Sequence, residues 1–395
     1  MLLTILIFHI SSFLLLASTI DRFHLTQLLT EYDDNVTVAA VVEPYFLGAG
    51  KGKPGSEGFE AVMKENPSIS FYASVEELPH CEIGSPHLFL IAGRTVDAQA
   101  LFVAAIAKGA THVYMEKPGA TSAEQLSEMR DLAAEQGVAV VVGYNKNVAE
   151  YSRDALAALR KASGAGADGG RQPRVTLEHC NEFTPGEGLV AFMRGPGGEG
   201  MLHNMCCHEL ALATTLFGVT CARVRKVVLE PESSKLIALD SDSGSGGRAD
   251  WQKLAFWLEL APATTPPPLG GVHVERLHFS ADRCGGNFSR IRLTDEEGVV
   301  SDFRLPSAEH EEWVLAEQAR DKEIRPYFLQ QAPDYKRLKG DFVAHILSGA
   351  KGIPEGVVGL DGAIEALKLA DLLKPTLEQC SKDGAPWTVR MDAAA

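Results

Sequence analysis

Basic residues are scarce in this chain, and at its amino end they are missing: no Lys or Arg precedes Arg22. Lys and Arg number 37 against 52 Asp and Glu, for a formal net charge of −15. Nucleic acid and anionic membrane surfaces would both repel such a chain, so neither is expected as a partner. Cysteine is sparse too. The seven are odd in number and scattered, apart from the adjacent Cys206 and Cys207, so they imply no disulfide framework and a mostly reducing compartment. After residue 20 no uncharged apolar run approaches the roughly 20 residues of a membrane span. No Gly-x-Ser-x-Gly elbow, Walker A loop or His-Glu-x-x-His pair occurs, which leaves serine-hydrolase, P-loop and zincin chemistry without support.

What is present suits a soluble globular protein of 395 residues, 45% hydrophobic and 23% charged, long enough for two domains. Residues 36–150 alternate strand-like and helix-like segments, the pattern of a parallel α/β sheet. Val36–Val42 (VTVAAVV), Leu88–Ala92 (LFLIA), His112–Met115 (HVYM) and Val138–Val142 (VAVVV) are runs suited to strands buried on both faces. Asp97–Lys108 reads as a helix. A second follows Thr121-Ser122-Ala123-Glu124, a capping-box signature, with Leu126, Met129 and Ala133 at helical spacing.

The composition changes after residue 160. KASGAGADGGRQP (161–173) is a Gly/Ala/Pro-rich connector, and beyond it RVTLEHCNEF, QKLAFWLEL, GGVHVERLHF and SRIRLTDEEG alternate apolar and polar residues. That alternation predicts an antiparallel sheet with one exposed face. SDSGSGGRAD and PATTPPPLG read as long hairpin loops, and the chain closes with helices, notably Asp361–Leu373. No internal repeat occurs.

Lys117, within YMEKPGATSAEQL, carries a family resemblance. The stretch from VDAQALFVAAIAKG through EKP to VVVGYN resembles the Gfo/Idh/MocA oxidoreductases, nicotinamide-dependent enzymes acting on sugars, inositols and related polyols. GGEGMLHNMCCHELALATTLFG is similar to their second motif, a glycine-rich approach to Asp-x-Gly-x-His, and GLDGAIEALKLADLLK to their last helix. The resemblance implies an N-terminal Rossmann-like doubly wound parallel sheet over 13–148. An α+β substrate and oligomerisation domain over 149–390 follows, with a large open, mainly antiparallel sheet. Residues 1–12 are left as an unassigned apolar arm.

In that family a Gly-x-Gly-x-x-Gly turn precedes an Arg-x-His-like helix start. Aligning Arg22-Phe23-His24 with the latter makes Phe13–Ala17 the first strand and Ser18 the helix cap, with Leu16, Ser18 and Asp21 at the glycine positions. Spacing favours this register over one with LTILIF as the strand, because the turn lies about 20 residues before the ribose-binding acid. All three glycines are absent. Ser18, Thr19 and Ile20 would then have to supply the pyrophosphate contacts, while Asp21 caps the helix with Ser18 and sets a carboxylate where phosphate should bind. The apolar start also resembles a secretory signal, but it has no positive n-region, and cleavage near Ala17 would remove the first strand. The expected compartment is therefore the cytoplasm, with a secreted or membrane-anchored chain as the alternative.

The resemblance also assigns roles. Glu43, ending a strand, accepts hydrogen bonds from the adenosine ribose and favours NAD over NADP. Glu116 and Lys117 face the cofactor. The Lys117 ammonium stabilises the reacting oxygen, and His208 shuttles the hydroxyl proton. Asn204 stands where the family has Asp, so it can orient a hydroxyl without accepting a proton; either His208 works alone or Glu209 substitutes. Arg94 and Thr95 replace the family's Thr-Pro-Asn. His203, Cys206, Cys207 and His208 lack zinc-ligand spacing, and no metal is expected. The implied function is hydride transfer between a nicotinamide cofactor and a hydroxyl or carbonyl of a sugar, cyclitol or related polyol, in a dimer or tetramer paired through the second sheet. The alternative is a non-catalytic relic of the same fold, acting as a binding or scaffold protein.

Overall fold

Short runs of three to seven residues, most of them apolar, form six parallel strands in the first part of the chain. They are β1 (Leu3–Phe8), β2 (Val36–Val42), β3 (Ser70–Tyr72), β4 (His87–Ile91), β5 (His112–Met115) and β6 (Ala139–Val142). Their order is β3-β2-β1-β4-β5-β6, with every pair parallel. This is the doubly wound Rossmann arrangement, whose order reverses between β1 and β4. All five residues of β4 are buried, as a strand covered on both faces requires. The protein is described here from a computed structural model, over residues 3–8, 24, 25, 27–29, 36–82, 84–165, 172–195, 199–239, 248–263, 267–320 and 326–388.

The first strand is not the expected Phe13–Ala17. The central place belongs to Leu3–Phe8, which pairs Leu3↔Val36 through Phe8↔Val42 on one side and Thr4↔His87 through Phe8↔Ile91 on the other. Two apolar stretches compete for one slot. LTILIF, with three β-branched residues, suits a strand, whereas the leucine-rich FLLLA has higher helix propensity. Leu3–Phe8, within the arm left unassigned above, is thus part of the sheet. Ser18, Thr19 and Ile20, expected at the pyrophosphate, lie outside the described residues.

The helix Ala123–Gln136 confirms its capping signal with a one-residue shift. Ser122 is the cap, its Oγ accepting from Gln125 N at 3.3 Å, while Gln125 Oε1 accepts from Thr121 N at 3.1 Å. Gln125 thus meets the Ser122 hydroxyl through its backbone N–H and Thr121 through its side chain.

The chain divides into two units, each built from two stretches: Met1–Asn145 with Ala332–Ile364, and Lys146–Gln331 with Glu365–Ala395. The first extends past the expected 13–148 by this later stretch, which Val142 N joins through a 2.9 Å bond to Val358 O.

In the second unit, strands β7 (Arg174–Glu182), β8 (Val224–Leu229), β9 (Lys235–Ala238), β10 (Ala249–Leu260), β11 (Arg276–Asp282), β12 (Cys284–Thr294), β13 (Val300–Leu305) and β14 (Trp387–Thr388) form one sheet. Its order is β13-β12-β7-β11-β10-β8-β14, with β9 on β10. Every pairing is antiparallel except β7 with β11, so the sheet is mixed and mainly antiparallel. Val175 and Leu177 point into the core while Thr176 and Glu178 are half-exposed, the alternation read from the sequence. The helix Glu150–Ala165 lies against β12 and β13 and runs through KASGA, the start of the supposed connector. Alanine and lysine there favour continuation. The helix Cys207–Thr215, buried at every residue, packs on β7.

Candidate active site

Parallel strands bring their carboxyl ends to one edge of the sheet, the edge where doubly wound folds bind ligands. β2 delivers Glu43 there, β4 leads to Arg94, β5 ends at Glu116-Lys117 and β6 at Gly143. The turn after β5 needs Gly119, whose φ is +97° and whose hypothetical Cβ would stand 3.1 Å from Leu126. Lys117 is half-buried, and Pro118 to Ala120 behind it are buried.

Glu116 turns into the protein. Its Oε1 accepts from Tyr114 Oη at 3.0 Å and stands 3.1 Å from His24 Nε2, and Tyr335 Oη lies 3.4 Å from Oε2. His24, 1% exposed, meets Lys339 Nζ at 3.0 Å through Nδ1, and its ring packs edge-on to Tyr114 and Tyr335. A cation at Nδ1 makes that nitrogen the acceptor and places the ring proton on Nε2, toward the carboxylate. Burial pushes the Glu116 carboxyl up, but His24, the Lys117 charge and the Tyr114 hydroxyl outweigh it and hold the group below its usual range. Gly143 completes the enclosure: a Cβ there would fall 2.8 Å from Glu116 Oε1 and 2.9 Å from Tyr114 Oη. The Glu116 side chain, expected at the cofactor, instead anchors the turn that presents Lys117.

Glu43 is likewise committed. Nearly buried, its Oε1 accepts from the backbone N–H groups of Tyr45 (2.9 Å) and Phe46 (3.1 Å), capping the helix Pro44–Leu47. Arg94 pairs with Asp97 at 2.7 Å.

In the second unit the motif residues lie on one segment. Met201–Met205 forms a π-helical turn that runs into the helix Cys207–Thr215, with Asn204 half-buried and His208 1% exposed. The start of this segment is pinned by Asp250, which accepts from Met201 N at 3.0 Å and pairs with the buried Arg283 at 2.9 Å. His203 reaches Asp371 at 2.8 Å. Burial, with Glu209 adding to it, raises the Cys206 thiol well above its ordinary range, so it stays protonated and no ready metal ligand. Among the described residues no three His, Cys, Asp or Glu gather as a metal site would need.

Glu209 opens a group that no sequence motif announced. Lys146, 1% exposed, places Nζ 2.5 Å from Glu209 Oε1, 2.5 Å from His179 Nδ1 and 2.6 Å from Ser289 Oγ. His179 Nδ1 also lies 2.9 Å from Glu209 Oε1, and Nε2 3.1 Å from Asn181 Oδ1. Burial lowers the His179 proton affinity, against the pull of Glu209. For Glu209 burial alone would raise the pKa; His179 and Lys146 outweigh it and keep the carboxylate ionised. Lys146, His179 and Ser289 also line a small cleft with Asn287, Phe288 and Gln330. The one sequence hint was a lysine, in GYNKN, next to the end of a fully apolar strand.

Residues 48–144 match the model of the Gfo/Idh/MocA oxidoreductase family, described by an NAD-binding Rossmann fold. Solved structures of the same architecture span both units. A scyllo-inositol dehydrogenase from Lactobacillus casei, solved with NAD(H) and scyllo-inositol, is 14% identical, with a TM-score of 0.62 over 98% of this chain and 99% of that one. A myo-inositol dehydrogenase from Corynebacterium glutamicum is 15% identical, with a TM-score of 0.61 over 98% and 99%. The myo-inositol dehydrogenase of Lactobacillus casei in complex with NAD(H) and myo-inositol is 12% identical, with a TM-score of 0.60 over 100% and 99%. Among curated proteins none matches the chain in sequence. The family model thus matches residues 48–144, while the solved structures share the fold of the chain across both units.

Proposed function

We propose that this protein transfers hydride between NAD and a secondary hydroxyl of a cyclitol, sugar or similar polyol. The observation that carries the reading is the turn after β5, where Glu116 is tied inward by His24, Tyr114 and Tyr335 while the adjoining Lys117 stays half-exposed at the strand edge. That arrangement holds an ammonium where this fold binds its ligand. NAD supplies the hydride acceptor when bound. Lys117 donates a hydrogen bond to the reacting oxygen and stabilises it as charge develops. His208 takes the hydroxyl proton in oxidation and returns it in reduction, and Asn204 orients the substrate. Glu43 disfavours a 2′-phosphate through its charge, and its carboxylate serves the ribose only to the extent that helix capping leaves it free. The inositol substrates of the similar structures motivate the polyol class. The open face of the second sheet, where Arg276 lies over Trp257 at 5.2 Å, is the surface for pairing with a second copy.

The test is a fluorescence titration of the full-length protein with NADH, NADPH alongside, followed by a polyol screen with NAD. Saturable NADH binding, tighter than NADPH, and polyol oxidation lost in Lys117→Ala by at least about a hundredfold are expected. Absence of dinucleotide binding in the folded protein would overturn the reading and favour the non-catalytic relic.

A further inference from the structure

Asn204 and His208 carry the substrate roles of the second unit, and they stand four positions apart. In an unbroken α-helix that spacing sets two side chains on one face. The helix is broken here. Cys206 N donates to Met201 O, five residues back, at 2.8 Å across the π-helical turn Met201–Met205, and α-helical bonding resumes with Leu210 N to Cys206 O at 2.9 Å. Such turns are rare and recur at functional sites. The direction of Asn204 relative to His208 therefore depends on how this turn is held. Met201, Leu202 and Met205 are buried, while His203 and Asn204 are half-buried. Just before the turn Gly200 has a φ of +96°, which favours glycine for backbone reasons alone, since a Cβ there would stand 3.8 Å from Asp250 Oδ1.

Met201 N is a donor that the start of a helix cannot satisfy by itself. Its acceptor comes from a strand distant in sequence: Asp250 of β10 accepts from it through Oδ1 at 3.0 Å. Asp250 Oδ2 in turn accepts from Arg283 Nη2 at 2.9 Å. Arg283, 1% exposed, is itself fixed at the junction of β11 and β12. Its Nε donates to Trp251 O at 3.1 Å, its backbone N–H to Gln252 O at 2.9 Å, and its guanidinium lies 5.8 Å from the centre of the Phe192 ring. A buried ion pair adds little stability over apolar side chains of the same volume. What this pair does add is a fixed place for the first residue of the turn. We propose that Asp250 and Arg283 are positioning residues, which hold the turn Met201–Met205 and so set the direction of Asn204 relative to His208. The inference rests on the roles given to Asn204 and His208 above. Both members of the pair act through the backbone of the turn, with no proton or bond transferred to either.

The experiment compares two double variants of the full-length protein, neither of which strands a charge. Asp250→Leu/Arg283→Met keeps the bulk and removes the acceptor of Met201 N. Asp250→Asn/Arg283→Met keeps an amide oxygen in its place. Hydrogen–deuterium exchange of peptides over residues 200–208 and steady-state polyol oxidation with NAD are the readouts. The first variant is expected to exchange at least about tenfold faster over 200–208, with peptides over Arg174–Glu182 unchanged, and to lose kcat by at least about tenfold while the KM for NAD stays within about twofold. The second should return both quantities to within about threefold of the wild type. A merely structural pair would lower the melting temperature and speed exchange in both segments alike, without that rescue. Such a result overturns the proposal, as does wild-type exchange over 200–208 in the first variant, or faster exchange there with an unchanged kcat. Exchange needs no turnover, so the two readings fail separately. A wild type that binds no NADH and oxidises no polyol strikes the hydride-transfer reading, while the exchange data still decide whether the pair holds the turn.

Discussion

Single carboxylates and imidazoles in this protein are committed by what surrounds them, and the commitments can be measured. Glu43 spends its Oε1 on two backbone N–H groups that the helix Pro44–Leu47 cannot satisfy itself. Glu43→Ala should cost about 1 kcal/mol in urea unfolding, and Glu43→Gln, which keeps an acceptor, less than half of that. Equal losses would show that charge rather than capping matters at this position. His112 makes a pH prediction. Burial, aided by the charge of His345, lowers its pKa to about 4 from an ordinary 6.5, while Thr111 Oγ1 lies 2.8 Å from Nδ1 and Phe342 packs on the ring. The unfolded chain therefore binds the extra proton between these two values. Stability is fully present above about pH 6.5 and declines as the pH falls toward 4. Urea midpoints of His112→Gln, taken at pH 7.5 and 5, should show a smaller acid loss than the wild type, and an equal loss would place the titrating group elsewhere.

Strands and caps were readable where a local pattern sufficed, and misread where two segments could fill one role. β2, β5 and β6 stand within a residue of the runs that announced them, because a strand buried on both faces must be continuously apolar. β1 could not be found that way: LTILIF and FLLLA are both apolar, and the choice between them is made by pairing with Val36–Val42 and His87–Ile91, which are distant in sequence. The Lys146 group was hidden for the same reason. Its members come from the end of β6, from β7, from β12 and from a helix, and only the fold brings them within 3 Å. His208 and Lys117, by contrast, could be singled out because each sits in a contiguous motif. The β1 assignment is testable. Ile5→Pro removes a backbone donor from the centre of a six-stranded sheet, and the chain is expected to be insoluble or to lose its cooperative transition. A soluble variant with unchanged melting would mean that another segment forms the central strand.

At the scale of the whole molecule, neither unit is a single run of chain, and this sets what can fold when cut. A boundary drawn near residue 148 suggests that residues 1–145 would stand alone, but five ties bind them to 332–364. Val142 N donates to Val358 O, Gln27 Nε2 to Ala332 O, and Arg130 reaches Asp361. Lys339 meets His24, and Tyr335 approaches Glu116. Only Arg130 and Asp361 are exposed enough for water to replace their contact. Val142, Gln27 and His24 are buried and Glu116 is mostly so, and removing their partners strands polar groups that cost about 1–3 kcal/mol each when unsatisfied. Losses of that size are comparable with the 5–15 kcal/mol that typically separates folded from unfolded domains. Residues 1–145 alone should therefore lack a cooperative thermal transition by circular dichroism. The same residues joined to 332–364 through a flexible Gly/Ser linker should regain one, and Lys339→Met within that fusion should lower its midpoint. If 1–145 unfolds cooperatively without the later stretch, the pairing of Lys339 with His24 is an accessory to the fold, and the turn carrying Lys117 is held by its own strand alone.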